Sequence, residues 1–582
     1  MSRTRKAIAV SALIIVAITG NFLSAPASQA SANYVEGTDD AAKVFDPLKV
    51  NNFTMEMSDE DFESLKSPNV NWENEGDWRE TEMSFTMDGK VYGPYTVGVH
   101  LKGAWGSWRD VTQKAAFKIK MDAFVDKQTL FGISKFTLNN MVQDPSYIHE
   151  TLTYRLYRAL GVPSPRTGYA NVSLNGIDYG LHLNIETMNK QLLSRWGISS
   201  SHLYKGAVPY FPDFYAGNEY QFAIESGSDT DTSDLTAFIA IQALGGPAWW
   251  TAMGKIANMK QMTLGWATEL YTGHWDGYVM NKNNYFLNFD RYGNVTLLPW
   301  GTDQTWNGSL SYFRSPALMI NKCWAVPACS AMYQQSLADV ANKAAVLDLE
   351  TMAGEVASAI SVAATADPFG PSYNVFTDYQ NATVWRLGSQ LRNLQSLSAP
   401  WDTGIESISV NNIGRTMGST IYMPAGTRSV DVEVFTNEFD ATATVSNTEN
   451  LKDGLNNVSI LVTSASGKQT HTETVKVYVY TKRTTKSSIG FSKSVAKITS
   501  KGTSSLNSVI TKLKSSKSLV VTVSMPKVKT FSTAKNNALL KQRTDLVVKL
   551  LNAKGIKPTK VTKSLVATGT ADSLTITANY VN

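Results

Sequence analysis

A short stretch in the middle of the chain carries the residue types that phosphoryl transfer requires. His274-Trp275-Asp276 is followed by Asn281, five residues beyond the aspartate, and a further carboxylate, Asp303, comes after a predicted pair of strands. Phosphoryl transfer needs a base beside the acceptor hydroxyl and oxygen ligands for a divalent cation that bridges the phosphates. The spacing therefore predicts Asp276 as the catalytic base and Asn281 and Asp303 as metal ligands.

The surroundings of Asp276 favour this hypothesis over a plain structural role. An isolated aspartate is more often a helix cap or a loop residue. Here Asn281, Asn283 and Asn284 follow closely, and three amide side chains are costly to bury unless they have partners. A predicted strand begins directly after them, and its return strand leads to Asp303. We therefore expect Asp303 to lie beside Asp276.

A phosphate-binding side of the site is predicted upstream. Lys102-Gly103-Ala104-Trp105-Gly106-Ser107 ends a strand in a glycine-containing loop, whose backbone N–H groups could approach phosphates; a plain turn is the alternative. The next strand carries Lys120 and Lys118 on one face, and alternation does not choose between them as the phosphate-binding lysine. Glu150, on the following predicted helix, is the expected ion-pair partner of that lysine, with a surface position as the alternative.

The elements that must position these residues are predicted to be strands followed by helices. Residues 45–125 are β-rich, with a hairpin turn at Asp88-Gly89. A helix is predicted over Tyr147 to Leu160, and a second hairpin turns at Asn175-Gly176. Mostly helix is expected from Met188 to Tyr271. This order is typical of a small β-rich lobe that precedes a helical lobe.

The second half of the chain changes character twice. Helices are predicted near 333–364 and 374–396, and residues 405–480 show short alternating strands typical of a β-sandwich. Residues 482–488 are predicted to be a linker. The last segment, from Gly490 onward, alternates strands with one clear helix, Ser532 to Lys554, which predicts a small α+β domain.

Length, leader and cysteines place the chain among exported multidomain proteins. A chain of 582 residues is too long for one core, so three or four domains are expected. Its first residues have a basic start, a short apolar stretch and small residues near Ala30, which predict a secretory signal rather than a retained membrane anchor. Its two cysteines, Cys323 and Cys329, are expected to form a disulfide in an oxidising compartment. No later segment is apolar enough to span a membrane.

The charge is distributed unevenly along the chain. The net charge is +5, yet residues 482–582 contain 19 Lys and Arg against two Asp and no Glu. The remainder is acidic. A basic tail on an acidic exported body predicts attraction to an anionic surface such as a cell wall; a solvated lysine-rich face is the alternative. No nucleic-acid partner is expected.

The ordered motifs of residues 45–395 resemble the CotH family, which is named for a spore-coat protein and contains atypical secreted kinases. The resemblance rests on the following segments: Leu101-Lys102-Gly103 with Ser107, Lys114 to Asp122, Asp144-Pro145-Ser146, the hairpin that ends at Glu186, His274 to Tyr285, and Pro299-Trp300 with Asp303. It implies a kinase-like fold, the use of ATP with Mg²⁺ or Mn²⁺, and stacking of Trp300 on the adenine. The family usually shows Pro-Trp-Asp-x-Asp, whereas this chain has Gly301 at the first of these aspartates.

The flanking regions resemble other families less closely. Residues 405–480 are similar to cadherin-like or Ig-like sandwiches. The segment from Asn536 to Ile556 resembles OmpA-like peptidoglycan-binding domains, which implies a carboxylate-binding role for Arg543, although the upstream Asp of that pattern is missing. The predicted plan is α+β: a signal peptide (1–32), a two-lobed kinase-like domain (45–398), a β-sandwich (404–481), a linker (482–489) and a basic α+β domain (490–582).

These features predict a secreted or wall-associated kinase that phosphorylates Ser or Thr of exported proteins. The alternative is a non-enzymatic surface, coat or adhesin protein on a degenerate kinase fold, which Gly301 and the modular tail would favour. A third hypothesis, a metal-dependent hydrolase, would use Asp276, Asp303 and the acidic loop Asp229 to Asp234. It is disfavoured because the six His residues do not cluster. The acidic loop is better explained as the start of a helix capped by Ser233 or Asp234.

Overall fold

The computed structural model describes residues 34–66, 78–104, 106–207, 210–228, 230–438, 440–516, 518–567 and 569–581. The predicted signal peptide, residues 1–32, lies outside these ranges. Within them the protein is a mixed α+β chain with several separate sheets, as the sequence predicts.

The N-terminal part is a closed seven-stranded barrel. Its strands pair in the order β1-β2-β3-β4-β5-β7-β6, and β1 closes the barrel by pairing in parallel with β6. The strands and the first two helices are β1 (Val50–Met57), α1 (Asp59–Ser64), β2 (Arg79–Met87), β3 (Lys90–Lys102), β4 (Ala116–Lys120), β5 (Lys135–Asn139), α2 (His149–Ala159), β6 (Thr167–Leu174) and β7 (Ile177–Glu186). A short 3₁₀ turn, Ala42–Phe45, precedes β1.

Alternation and turn chemistry explain why these segments form a barrel. Phe53, Phe85, Val99 and Phe117 point inward from successive strands into one core. Both predicted hairpins are present, and the two residues of each turn have positive φ, as a two-residue turn of this kind requires. Helix α2 packs outside the barrel, so its buried face belongs to the core of the second lobe.

The second lobe contains a four-stranded sheet, of which the sequence predicts only the two strands that lead to Asp303. Residues 188–271 were expected to be mostly helical, but β8 and β9 lie within them and complete the sheet β11-β10-β8-β9. These strands are short and are separated by a long aromatic loop, which obscures their alternation. The elements are α3 (Lys190–Arg195), β8 (His202–Gly206), β9 (Phe222–Ser226), α4 (Ser233–Gln242), α5 (Gly246–Ile256), α6 (Met259–Thr272), α7 (Tyr278–Asn281), β10 (Tyr285–Phe289) and β11 (Val295–Pro299).

Four helices complete this lobe: α8 (Leu318–Trp324), α9 (Pro327–Leu347), α10 (Leu349–Ala366) and α11 (Tyr373–Ser398). The helix predicted near 333–364 is two helices, because Asp348 adopts φ 47° and caps α10 by accepting the N–H of Thr351. The expected disulfide is present, and it joins Cys323 at the end of α8 to Cys329 in the first turn of α9.

Two sheets follow. One has three strands in the order β13-β12-β15, and the other has four strands in the order β14-β18-β17-β16. Side chains from both sheets share one core that includes Ile408, Val458 and Val477. This is the β-sandwich that the alternation predicts. Its strands are β12 (Ile405–Val410), β13 (Ile413–Arg415), β14 (Thr420–Met423), β15 (Val432–Thr436), β16 (Thr442–Ser446), β17 (Gly454–Thr463) and β18 (Thr470–Val479).

The C-terminal unit is a four-stranded sheet, β19-β22-β20-β21, with two helices on one face. Its elements are β19 (Lys482–Gly490), α12 (Ser500–Leu513), β20 (Ser518–Pro526), α13 (Thr533–Asn552), β21 (Lys560–Val566) and β22 (Ser573–Val581). The predicted linker, 482–489, is wrong: these residues form β19 and pair with β22 along nine positions, because Thr485 and Ile489 are buried on the helix side. Helix α12 was not anticipated.

Arg543 does not have the ligand-binding role that the OmpA-like resemblance implied. The side chain is fully buried. Its guanidinium donates to the carbonyl oxygens of Ser492, Val495 and Ala571 and lies over the ring of Phe491. The guanidinium is therefore used to hold the unit's own backbone together.

None of the helices in the described ranges is long and apolar enough to cross a membrane.

Candidate active site

The loop that carries Asp276 is closely packed at two glycines, Gly273 and Gly277. Helix α6 ends at Gly273, whose φ of 71° continues the chain in the left-handed conformation. A Cβ atom at Gly273 would meet the carbonyl oxygen of Gly308 at 2.3 Å. A Cβ atom at Gly277 would lie 2.6 Å from Oε2 of Glu269 and 2.8 Å from Nδ1 of His274. Glycine is thus required on both sides of Asp276.

Three asparagines donate to the carboxylate of Asp276. Nδ2 of Asn281 lies 2.5 Å from Oδ1, Nδ2 of Asn284 lies 2.8 Å from Oδ2, and Nδ2 of Asn283 lies 3.3 Å from both oxygens. Burial raises the pKa of Asp276, and the three amides oppose that rise because they favour the ionised form. The amides predicted to need partners therefore find them in Asp276 itself.

A buried histidine, His274, and a buried glutamate, Glu269, hold this loop through hydrogen bonds to backbone groups. Nε2 of His274 lies 3.0 Å from the carbonyl oxygen of Gly301, so this nitrogen must carry the proton. Burial lowers the pKa of His274 to about 4. Oε2 of Glu269 accepts the N–H of Val279 at 2.8 Å, and burial raises the pKa of Glu269 to about 8. Both side chains tie the Asp276 loop to neighbouring backbone.

Asp303 lies on the loop after β11 and faces the barrel. Its carbonyl oxygen contacts Nδ1 of His149, in the first turn of α2, at 2.9 Å. Burial raises the pKa of Asp303 to about 8, and the carboxylate of Glu150 contributes to the rise, whereas the cation of Lys102 opposes it. The charge of Asp276 also contributes. The charge of Asp276 thus acts on Asp303, and the roles of the two carboxylates as catalytic base and metal ligand stay predictions.

The lysine that faces Glu150 is Lys102, at the end of β3. Burial lowers the pKa of Lys102, while attraction to Glu150 and Asp303 opposes that shift. Burial raises the pKa of Glu150, which also accepts a hydrogen bond from Nδ2 of Asn139 at 2.5 Å. Lys102, Glu150 and Asp303 thus form one group of charges between the barrel and the second lobe.

The two lysines that the sequence favoured occupy other positions on β4. Nζ of Lys118 lies 3.9 Å from Oε1 of Glu225 on β9, and its charge lowers the pKa of Lys102, so Lys118 borders the site. Lys120 lies two residues farther along, opposite Gly98. Glu150 was expected to pair with Lys120 or Lys118, but the cation that acts on it is Lys102. The reason is that helix α2, which carries Glu150, lies near the end of β3, where Lys102 is.

The loop after Lys102 folds back on itself. Gly103 has φ of 126° and Gly106 has φ of 82°, conformations that favour glycine. Oγ of Ser107 accepts the N–H of Ala104 at 3.3 Å, and its carbonyl oxygen accepts Nδ2 of Asn140 at 3.0 Å. Ser107 therefore closes the turn beside the lysine, and a role in phosphate binding remains a prediction. Trp105 lies outside the described residues.

Trp300 follows β11 and is partly buried in the second lobe. Its ring packs edge-on against Phe286, with centroids 5.6 Å apart. Both belong to a small apolar cluster that includes Leu192 and Leu193 of α3, directly after the last barrel strand. Stacking of Trp300 on an adenine stays a prediction.

The residues present fit a divalent cation bound together with phosphates. Lys102 is the cation that acts on both Glu150 and Asp303. Oε1 of Glu150 is buried and has no hydrogen-bond partner among the described residues. The backbone of Thr302 favours the ionised form of Glu150. The described ranges contain no cluster of three or more His, Cys, Asp or Glu with the spacing of a complete metal site. Mg²⁺ suits such a place because it uses one or two carboxylates and takes its other ligands from phosphates and water. Asp303 and the amide oxygen of Asn281 are the groups that would hold it.

Sequence reasoning missed several residues that position the site. His149, His274, Glu269 and Asn139 all anchor backbone or carboxylates there. Two signals pointed toward them: His149 precedes Glu150, and His274 opens the H-x-D motif. The part of the acidic loop that the structure describes has Asp234 in contact with residues outside this site. Asp234 accepts Nδ1 of His202 at 2.6 Å, and Asp229 lies outside the described residues.

Part of the chain is similar in sequence to known proteins. The sequence model described as CotH kinase protein matches residues 99–366. Inner spore coat protein H of Bacillus subtilis (strain 168) is 24% identical over 199 residues, which are 32% of this chain and 53% of that protein. Inner spore coat protein H-like protein of the same organism is 29% identical over 93 residues, 16% of this chain and 29% of that protein. The chain thus spans about half the length of the first relative and less than a third of the second.

Proposed function

Because residues 99–366 match the sequence model described as CotH kinase protein, we propose that the chain transfers the γ-phosphoryl group of ATP to a Ser or Thr hydroxyl of an exported protein. The observation that carries the proposal is the proximity of two sets of charged groups. The Asp276 carboxylate is held by three amides, and its charge acts on Asp303, which is grouped with Lys102 and Glu150.

Asp276 would act on the acceptor. Its carboxylate orients the hydroxyl and takes the proton as the oxygen bonds to the γ-phosphorus and the bond to the ADP oxygen breaks. The amides of Asn281 and Asn284 fix both carboxylate oxygens, so the base is already positioned when the acceptor arrives. His274 and Glu269 keep the loop in place through the Gly301 carbonyl and the Val279 N–H.

Lys102 would act on the nucleotide. An ammonium group between Glu150 and Asp303 can neutralise phosphate oxygens and remains oriented by Glu150. A bound Mg²⁺ or Mn²⁺ would supply further neutralisation of the developing phosphate charge. Asp303 and Asn281 would hold that ion, and Trp300 would contact the base.

The place of action is proposed from the relatives and the leader. The first relative is named as an inner spore coat protein, and the first residues of this chain have the pattern of a secretory signal. We therefore propose that the protein acts outside the cytoplasm, at a coat or cell surface.

Labelling with radioactive ATP tests the proposal. The full chain is incubated with Mn²⁺ or Mg²⁺, labelled ATP and casein as a general Ser/Thr acceptor, and label is counted on casein and on the chain itself. Asp276→Asn and Asp303→Asn should each lower transfer roughly 10²-fold or more. Asp378→Asn, an exposed aspartate on α11, is the matched control and should leave transfer unchanged.

Nucleotide binding is measured separately by thermal shift. A ligand that binds only the folded state must raise the melting temperature. Asp276→Asn should keep the shift with metal and nucleotide while it loses transfer. Equal labelling by the wild type and both site variants contradicts the assignment. Absence of any shift with saturating nucleotide supports a non-enzymatic coat or adhesin role instead.

A further inference from the structure

The C-terminal sheet has one covered face and one open face. Helices α12 and α13 pack through Leu506, Val509, Leu539 and Val547 against the inward side chains of the strands. The opposite side chains of the same strands are exposed or partly exposed, apart from Pro526 at the end of β20. An uncovered sheet face of this kind is a surface on which another molecule can lie.

The open face is made of hydroxyl and amide side chains in register. One row across the four strands runs Lys486, Thr577, Thr522 and Thr562. The next row runs Ser488, Thr575, Ser524 and Ser564. Such rows present donors and acceptors at the regular spacing of neighbouring strands.

Cations border this face and carboxylates are absent from its strand positions. Lys482 and Lys486 lie on β19 and Lys560 on β21, the two outer strands, with side chains on the open side. Of the two acidic residues in 482–582, Asp545 is on α13, where it pairs with Lys541 at 2.7 Å, and Asp572 lies in the turn before β22. Every lysine described in this range is exposed.

The composition of the face selects among anionic partners. The three aromatic residues of 482–581, Phe491, Phe531 and Tyr580, all pack in the core, so the face has no platform on which nucleic-acid bases could stack. Its apolar positions, Val520, Val566 and Val581 with the buried Pro526, are spread along the strands and too few to insert into a lipid surface. Ammonium groups bind phosphate as point charges, and the hydroxyl rows suit a partner that has hydroxyls of its own.

We propose that this open face binds a linear cell-wall polymer in which sugar or polyol units are joined by phosphodiesters. The lysines at the outer strands contact the phosphates, and the central hydroxyls hydrogen-bond to the units between them. This binding is independent of the kinase activity proposed above and would keep the catalytic domain near a wall.

Two triple variants of the full chain test the location of the site. Lys482→Glu/Lys486→Glu/Lys560→Glu reverses the charge of the open face. Lys501→Glu/Lys512→Glu/Lys535→Glu reverses three exposed lysines of α12 and α13 by the same amount. Binding to poly(glycerol phosphate) is measured at physiological salt, where charges farther away than about 8 Å are screened. The first variant should lose at least roughly tenfold in affinity, while the control should stay within about twofold.

A neutral variant tests the role of the hydroxyls. Thr522→Val/Thr577→Val keeps the charge and should weaken binding of poly(glycerol phosphate) but not of inorganic polyphosphate, which has no polyol units. Equal losses in both triple variants overturn the proposal, because they indicate diffuse charge attraction. Equal or tighter binding to anionic phospholipid vesicles or to a single-stranded oligonucleotide also overturns it. Unchanged circular dichroism confirms that each variant is folded.

Discussion

The side chain of Asn284 lies against Cα of Gly301. A Cβ atom at position 301 would come within 2.7 Å of Cγ and Oδ1 of Asn284, and the same amide donates to Asp276. Gly301 has φ of 53°, which also favours glycine. In this chain an amide therefore occupies the space beside the position where the CotH pattern has its first aspartate, so Gly301 is part of a fitted arrangement with Asn284.

Substitution of Gly301 should destabilise the protein more than substitution of an open glycine does. Gly301→Ala meets both the unfavourable φ and the contact with Asn284, a cost of about 1–3 kcal/mol. Gly293→Ala is the control, because Gly293 has φ of 78° but nothing within 4 Å of its Cβ position. Thermal melts of the full chain compare the two. If both variants melt alike, the contact with Asn284 has no energetic weight.

The same contact predicts that an aspartate at 301 does not improve the enzyme by itself. Gly301→Asp should push Asn284 away from Asp276 and lower phosphoryl transfer. The double variant Gly301→Asp/Asn284→Ser relieves the collision and should transfer faster than the single variant. Higher activity of Gly301→Asp alone would show that the missing carboxylate limits the natural chain.

Lys102, rather than Lys120, should be the lysine on which transfer depends. Lys102→Met keeps the stem but leaves Glu150 and Asp303 without their cation, so transfer should fall roughly 10²-fold or more. Lys120→Met, on the same barrel face, is the matched control and should retain activity. Label transfer and nucleotide thermal shifts are measured for both. The reverse ranking would restore the assignment made from alternation.

A buried ion pair outside the site should be sensitive to the loss of one partner. Nζ of Lys114, just before β4, lies 2.5 Å from Oδ2 of Asp367 at the end of α10, and both side chains are almost fully buried. Lys114→Met leaves a buried carboxylate and should cost about 3–5 kcal/mol. Lys114→Met/Asp367→Asn should recover part of that loss. Urea unfolding measures both, and additive effects of the two changes would mean that the pair is not coupled.

The stability contributed by Glu269 should decrease as the pH rises. Burial raises its pKa to about 8, above the ordinary value of about 4.3. The folded state then holds a proton that the unfolded state has released, so stability falls between about pH 4 and pH 8. Glu269→Gln removes this dependence. The melting temperature of the variant, relative to that of the wild type, should therefore increase as the pH rises across that range. Exposed Glu60→Gln is the control; parallel curves for all three proteins would exclude a protonated Glu269.

Local chemistry explains why much of the fold could be predicted. Asp88-Gly89 and Asn175-Gly176 specify tight turns because their residues tolerate positive φ, and both form hairpins. The chain has only two cysteines, six positions apart, so the expected disulfide closes a short loop, and it is present. By contrast, β8 and β19 were missed because each depends on a partner far away in sequence. Strand β9 was missed because it pairs only with β8, across a long loop.

For the site, spacing along the chain is enough to predict which residues lie on one loop. The spacing of Asp276, Asn281 and Asn284 across a single helical turn brings them together whatever the rest of the chain does. Spacing does not show which lysine faces Glu150, since Lys102, Lys118 and Lys120 share one face of the barrel; this depends on long-range packing. Closure of the barrel and packing of α2 bring Glu150 to the end of β3, and burial there couples it to Lys102 and Asp303.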